Sequence, residues 1–226
     1  MQQESLRSLG TKFLDHDGFY KVYYTLHEFE ELQTHLILQI LDAGYDFDAV
    51  VGMPKGACGI INRLSYIFRH VLIGEIPCKR YNPTTLKSSE SMTYVGKEIQ
   101  WRPSEDGTNF PPRDGDDRRK HLRVLLVDDL VEKGITMQMI LKVIQAECIK
   151  IAETVTIKNA VLWKKNGTEF EPDFFALAVD PTWIIKYEEA SGERIRERLR
   201  RARPELAQRR PEIFAKPAIH DLLWKT

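Results

Sequence analysis

Residues 27–43, HEFEELQTHLILQILDA, place apolar side chains at Phe29, Leu32, Leu36, Ile40 and Leu41, a spacing that keeps one face of a helix apolar, and Gly44 follows as its C-cap. The next apolar run, Ala49 to Val51, is short and stops at Gly52, the pattern of a strand that ends in a loop. Helical spacing returns through Ile60, Ile61, Leu64 and Ile67 over residues 58–69, and VLIGEI, 71–76, reads as a second strand. After a long polar interruption the alternation resumes: a strand from Leu122 to Val127, a helix over 136–147, a strand over 154–162, a turn at Lys165, Asn166 and Gly167, and a strand over 174–179. Strands alternating with helices predict an α/β fold, with a mostly parallel central sheet flanked by helices.

The interruption, residues 82–120, is dominated by Asn, Pro, Thr, Ser, Gly and charge, and PPRDGDDRRK within it has no regular period. A loop of that length in a compact domain is usually either functional or disordered. Part of it, around MTYVGKEIQW, is expected to form a mobile hairpin. Residues 190–210, ASGERIRERLRRARPELAQRR, are basic and helix-prone up to Pro204, ahead of a tail ending DLLWKT. The expected organisation is a domain over 1–190, with 82–120 as its flexible loop, and a basic helical C-terminal extension over 191–226.

Charge narrows the function classes. With 33 Lys plus Arg against 33 Asp plus Glu there is no global field to draw in nucleic acid or anionic lipid, so any anion site must be local. ERIRERLRRAR mixes Glu with Arg at helical spacing, the pattern of a solvated, salt-bridged face, and nucleic-acid binding is not expected. Cys58, Cys78 and Cys148 show no CxxC or Cys/His metal spacing, which argues against a disulfide framework and for a reducing compartment. MQQESLRSLG lacks the basic start and apolar run of a signal peptide, and no stretch approaches the roughly 18 apolar residues of a membrane span. A cytoplasmic protein without membrane association is expected.

The candidate chemistry lies in VLLVDDLVEKGIT, 124–136. In a parallel α/β sheet, ligands bind beyond the carboxyl ends of the strands, where loops converge and helix N-termini present free N–H groups. Asp128 and Asp129 stand at such an end, and the turn after them leads into the helix starting TMQMILKVI. The backbone N–H groups of Lys133 to Thr136 can surround a phosphate, the Thr136 hydroxyl adds a donor and Gly134 permits close approach. Two acids beside a phosphate cradle suit a ligand that also carries hydroxyls or a divalent cation, and a ribose phosphate with Mg²⁺ meets both demands. The competing reading is that the acidic pair only caps a helix or starts a turn.

DDLVEKGIT resembles the phosphoribosyl diphosphate (PRPP) signature of the type I phosphoribosyltransferases: an aliphatic strand, two acids, two variable residues, an acid, then Thr-Gly-x-Thr. The resemblance implies that Asp128 and Asp129 hold the ribose hydroxyls, directly or through Mg²⁺, and that residues 132–136, including Lys133, Gly134, Ile135 and Thr136, hold the 5'-phosphate. Glu132 stands where the oxopurine enzymes commonly carry an Asp that handles the proton at N7 of the base, and Lys133 stands in place of the usual Thr. VVGMPKGACG, 50–59, resembles the family's diphosphate-binding loop, with Lys55 and Gly56 at its centre, although read alone it is also a plain strand-to-helix turn. CKRYNPTT, 78–85, resembles the start of the loop that covers PRPP in relatives, with Arg80 and Tyr81 at its entrance; a disordered insertion is the alternative.

For the base, the resemblance is to the xanthine-guanine type within the 6-oxopurine branch. It implies that Lys164 donates to the 6-oxygen, that Trp183 stacks on the purine, that Ile184 presents its backbone to the purine edge, and that Glu189 joins Asp129 in holding Mg²⁺. Lys165 is an adjacent rival to Lys164, and a Trp after a strand is also commonly core. The resemblance spans residues 27–190 and implies transfer of the phosphoribosyl group from PRPP to xanthine, guanine or hypoxanthine, with homodimers or homotetramers usual among relatives. Two other expectations stay open: a regulator or partner-binding protein on the same fold that senses PRPP or a nucleotide, and a C-terminal extension that recruits a protein partner.

Overall fold

The computed structural model describes residues 8–14, 20–54, 56–68, 71–79, 94–102, 119–187, 201 and 204–209. Along the chain the elements are β1 (Thr11–Leu14), β2 (Tyr20–Tyr23), α1 (Leu26–Asp42), β3 (Ala49–Gly52), α2 (Cys58–Ile67), β4 (Leu72–Glu75), β5 (Cys78–Lys79), β6 (Tyr94–Val95), β7 (Gln100–Trp101), β8 (Arg119–Val131), α3 (Ile135–Cys148), β9 (Ala152–Lys165), β10 (Phe174–Val179), β11 (Trp183–Ile185) and α4 (Pro204–Arg209). They fall into two compact units, Leu32–Pro181 and the flanking segments Met1–Glu31 with Thr182–Thr226.

The larger unit is organised by a six-stranded sheet of order β10-β9-β8-β3-β4-β7, parallel from β10 to β4 and closed by antiparallel β7. Strands covered on both faces need apolar side chains on both, which is why AVVG and VLLV are unbroken runs instead of alternations: all of β3 and residues 124–127 of β8 are buried. Met137, Ile140, Ile144 and Cys148 of α3 join Val51, Leu122, Val124, Leu126 and Val161 in one core. Leu32, Leu36 and Ile40 of α1 and Ile60, Ile61 and Leu64 of α2 are also fully buried, each such side chain contributing about 1.5–3 kcal/mol. Leu41 and Ile67, placed on the apolar faces by spacing alone, are 48% and 52% exposed. Leu41 follows Ile40 directly, and one residue along a helix is turned roughly 100° from its predecessor, off the buried stripe.

One sequence expectation is corrected here. The described part of MTYVGKEIQW, residues 94–101, forms no hairpin of its own: Tyr94 and Val95 pair with Lys79 and Cys78, while Gln100 and Trp101 pair with Glu75 and Gly74 at the edge of the main sheet. The anchor is Ile99, buried in the core, for which Gly74 leaves room; a Cβ at 74 would stand 2.5 Å from Ile99 Cγ2. Pro204 opens α4, as suits a residue whose missing N–H is unneeded in a first helical turn, and the helix expected ahead of it lies, apart from Arg201, outside the described residues.

The smaller unit contains a three-stranded sheet in which β1 and β2 are antiparallel and β11 joins β2 in parallel, Trp183 opposite Lys21 and Ile184 opposite Val22. A capping box opens α1: the Glu28 carboxylate accepts from the Thr25 amide and hydroxyl, both at 2.8 Å, and the Glu28 amide donates to Thr25 Oγ1 at 3.3 Å. The same carboxylate accepts from the Gly10 amide at 2.8 Å, tying the start of the helix to the segment before β1. Among the described residues no helix is long and apolar enough to cross a membrane.

Candidate functional site

Parallel pairing sets Gly52, the last residue of β3, against Val127 of β8, so the loops leaving the two strands emerge side by side. Gly52 lets α2 close on the strand, since a Cβ there would lie 2.6 Å from Ile61 Cδ1 and 2.8 Å from Ala57 Cβ. The turn that follows brings Gly56 over the acidic pair: a Cβ at 56 would lie 2.7 Å from Asp128 Oδ1 and 2.8 Å from Asp129 Oδ1. Asp128 is buried and accepts a hydrogen bond from the Asp129 amide at 2.8 Å, which holds the first carboxylate against the backbone of β8 near its C-terminal end. Cys78, at the start of β5, is close enough to feel both charges; burial first, then Asp128 and Asp129, push its thiol up to about 12.

Beyond the acids the chain turns through Glu132 and Lys133 to Gly134, which adopts the left-handed conformation at φ 77° and opens α3 without a side-chain cap. A residue with a side chain would be strained there, and its Cβ would sit 2.1 Å from Phe170 Cβ, so Phe170 lies directly on this turn. Thr136 is buried, and its Oγ1 has no hydrogen-bond partner among the described residues. An unsatisfied buried hydroxyl costs about 1–3 kcal/mol. Placed at the positive end of a helix whose first amides carry no capping side chain, it suits an anion. Lys133 is exposed and Ile135 half-buried beside it.

Lys164 and Lys165 end β9, next to β8, and their ammonium groups reach different acids. Lys164 Nζ donates to Glu171 Oε2 and lies 5.1 Å from the centre of the Phe175 ring. Lys165 Nζ donates to Glu132 Oε1 at 2.6 Å. The loop that supplies Glu171 and Phe170 is pinned at its far end, where Asp173 accepts from the amide and side chain of Asn159 at 2.9 and 2.7 Å and its own amide donates to Asn159 Oδ1 at 3.1 Å.

The structure therefore gathers Gly56, Asp128, Asp129, Glu132, Lys133, Gly134, Ile135 and Thr136 around neighbouring strand ends, with Lys164 and Lys165 on the adjoining strand. Trp183 and Ile184 belong to the smaller unit, on β11. Lys55, Arg80, Tyr81 and Glu189, most of the 82–120 loop and most of the 191–226 extension lie outside the described residues. Among the described residues no three His, Cys, Asp or Glu side chains cluster as a metal site. Sequence reading missed Phe170, whose only trace is an aromatic residue in the polar stretch NGTEFEPD, and Cys78, which no spacing marks.

No curated protein sequence matches. A purine phosphoribosyltransferase from Pyrococcus horikoshii superimposes with a TM-score of 0.53 at 21% identity, over 75% of this chain and 93% of that one. A xanthine-guanine-hypoxanthine phosphoribosyltransferase from Helicobacter pylori gives 0.54 at 19% identity, over 78% and 99%. A hypothetical protein from Neisseria gonorrhoeae with bound ppGpp gives 0.53 at 22% identity, over 80% and 96%. These likenesses share the fold. The family model for the phosphoribosyl transferase domain matches residues 20–191, so the chain belongs to that family.

Proposed function

We propose that this protein transfers the 5-phosphoribosyl group of PRPP to a 6-oxopurine base, xanthine, guanine or hypoxanthine, with release of diphosphate, as a cytoplasmic purine salvage enzyme. The observation that carries this reading is the acid pair under Gly56, a few residues before a buried, unpartnered Thr136 hydroxyl on a helix opened by left-handed Gly134. In the reaction the bond from C1 of the ribose to the diphosphate oxygen breaks, a bond from C1 to a ring nitrogen of the base forms, and that base loses a proton. Asp128 and Asp129 accept hydrogen bonds from the ribose hydroxyls; Lys133, Gly134, Ile135 and Thr136 bind the 5'-phosphate; Lys55 and the amides around Gly56 stabilise the departing diphosphate, with Arg80 and Tyr81 at the entrance of the covering loop. Glu132 takes or relays the proton near N7. Lys164 donates to the 6-oxygen, and its exposed partner Glu171 gives way at little cost, because such surface pairs contribute only about 0–1 kcal/mol. Trp183 and Ile184 keep the stacking and edge-recognition roles that the resemblance implies.

The residues fit Mg²⁺. It is commonly held by one or two carboxylates plus substrate oxygens, a demand that the acid pair Asp128 and Asp129 meets, and Glu189 is the further candidate. When bound it supplies neutralising charge to PRPP and to the diphosphate that leaves. The test is direct: incubate the protein with PRPP, Mg²⁺ and each purine base and follow diphosphate release. Release with an oxopurine and not with adenine is the expected result, and no release with any base overturns the reading. The second reading, a nucleotide or PRPP sensor without turnover, is favoured by Lys133 in place of the usual Thr, and the Neisseria gonorrhoeae relative holds ppGpp; nucleotide binding without diphosphate release is its signature.

A further inference from the structure

The Lys165–Glu132 pair differs in kind from the Lys164–Glu171 pair beside it. β8 and β9 run in constant parallel register up to Val131 opposite Lys164, so one step further sets Glu132 alongside Lys165. The contact therefore joins the last residue of β9 to the first residue past the end of β8. Lys165 is 8% exposed, and lysine is almost never buried without a partner. Glu132 is half-buried, whereas Glu171 is 69% exposed. A ligand can take Lys164 from Glu171, but separating Lys165 from Glu132 strands a desolvated ammonium.

We propose that Lys165 is a positioning residue for the transfer reaction: its ammonium fixes the Glu132 carboxylate at the anion-binding turn. The proposal rests on the phosphoribosyl-transfer reading above. Glutamate has one more rotatable bond than the aspartate usual at this position, so each contact that fixes its carboxylate removes more rotamer freedom. A reacting group misplaced by about 1 Å loses on the order of 10²-fold in rate. Lys165 thus suits this chain's own substitution, supplying from β9 the orientation that a shorter side chain needs less. Lys164 remains the base contact, and Lys165 touches no reacting atom.

The test compares full-length wild type with K165M, K165R, E132Q and the K165M/E132Q double variant, each checked for folding by circular dichroism, with kcat and KM measured for PRPP and for the preferred base. K165M is expected to lower kcat by roughly tenfold to a hundredfold while KM for PRPP changes by less than about threefold. K165R, which keeps the cation, recovers most of the lost kcat. The double variant is no slower than E132Q, because a cation that acts only through a carboxylate has nothing to orient once that carboxylate is gone. Should K165M fail to fold, the comparison of E132Q with the double variant decides the same question. Unchanged kcat in K165M, multiplicative losses in the double variant, or a rise confined to the KM of the base would each overturn the positioning role. An active wild type with an indifferent K165M sinks this inference alone, whereas a wild type that releases no diphosphate sinks the transfer reading and this inference with it.

Discussion

At Gly56 the site is closed by the absence of one methyl group. Its position facing Asp128 and Asp129 leaves a Cβ only 2.7 and 2.8 Å from their oxygens, closer than Cβ atoms are found to approach, so Gly56→Ala must displace either the loop or the carboxylates. The atoms met are the ends of two side chains, which can turn aside without unpacking the core, and this separates function from stability: the variant should keep its thermal midpoint within a few degrees and lose roughly tenfold to a hundredfold in kcat/KM for PRPP. Equal kcat/KM in the two proteins would detach Gly56 from the site. The cysteines give a second residue-level expectation. Burial, followed by the charges of Asp128 and Asp129 for Cys78 and of Glu147 for Cys148, pushes both thiols up to about 12, so neither carries appreciable thiolate near pH 7, while Cys58 is exposed. Iodoacetamide at neutral pH should therefore label Cys58 first, as read by peptide mass mapping; labelling of Cys78 at the same rate would contradict its described surroundings.

Among the elements, those legible in the sequence were those whose own residues decide them. The stripe Phe29, Leu32, Leu36, Ile40 marks α1, and the unbroken AVV and VLLV runs mark strands buried on both faces, so β3, β8 and α3 follow from local pattern, although β8 does not stop at Val127 but runs on to Val131 and carries the acids within its last residues. Elements defined by a distant partner were not legible. Nothing near Tyr94 or Trp101 says that one pairs with Lys79 and the other with Gly74, and the three-residue β11 is a strand only because β2 lies beside it. The same limit applies in the site: Lys164 and Lys165 look alike until register gives one Glu171 and the other Glu132. The first turn of α1 carries a prediction of its own. Burial acts to raise the Glu28 pKa, but hydrogen bonds from the Gly10 amide and from the Thr25 amide and hydroxyl outweigh it and hold the carboxyl below its ordinary 4.5. A depressed folded-state value means that the unfolded chain binds the proton more readily; this stabilisation is complete above about pH 4.5 and is lost as the pH falls through the lower folded-state value. The urea midpoint should drop on acidification below pH 4.5, and Glu28→Gln should lower the midpoint at pH 6 and shallow that acid slope. An identical slope in the variant would show that the capping box is not what titrates.

For the whole molecule, neutrality shapes how an anionic substrate arrives. The chain carries 33 basic and 33 acidic side chains, so it casts no long-range field toward PRPP. The described turn and its neighbouring strand end are no richer in positive charge, since Asp128, Asp129 and Glu132 offset Lys133, Lys164 and Lys165, and Lys164 is itself paired with Glu171. On the proposed transfer reading, attraction comes at contact range, from helix amides, the Thr136 hydroxyl and a cation carried with the substrate, and contacts shorter than the Debye length of roughly 10 Å at 0.1 M salt are little screened. With free Mg²⁺ held constant, kcat/KM for PRPP should change by less than about threefold between 20 and 200 mM KCl, where an electrostatically steered encounter falls tenfold or more. Chelating the Mg²⁺ should instead abolish PRPP binding measured by calorimetry, at any salt concentration. A steep fall with KCl at constant Mg²⁺ would mean that basic side chains beyond the described residues gather the substrate from a distance, and the local account of recognition would fail.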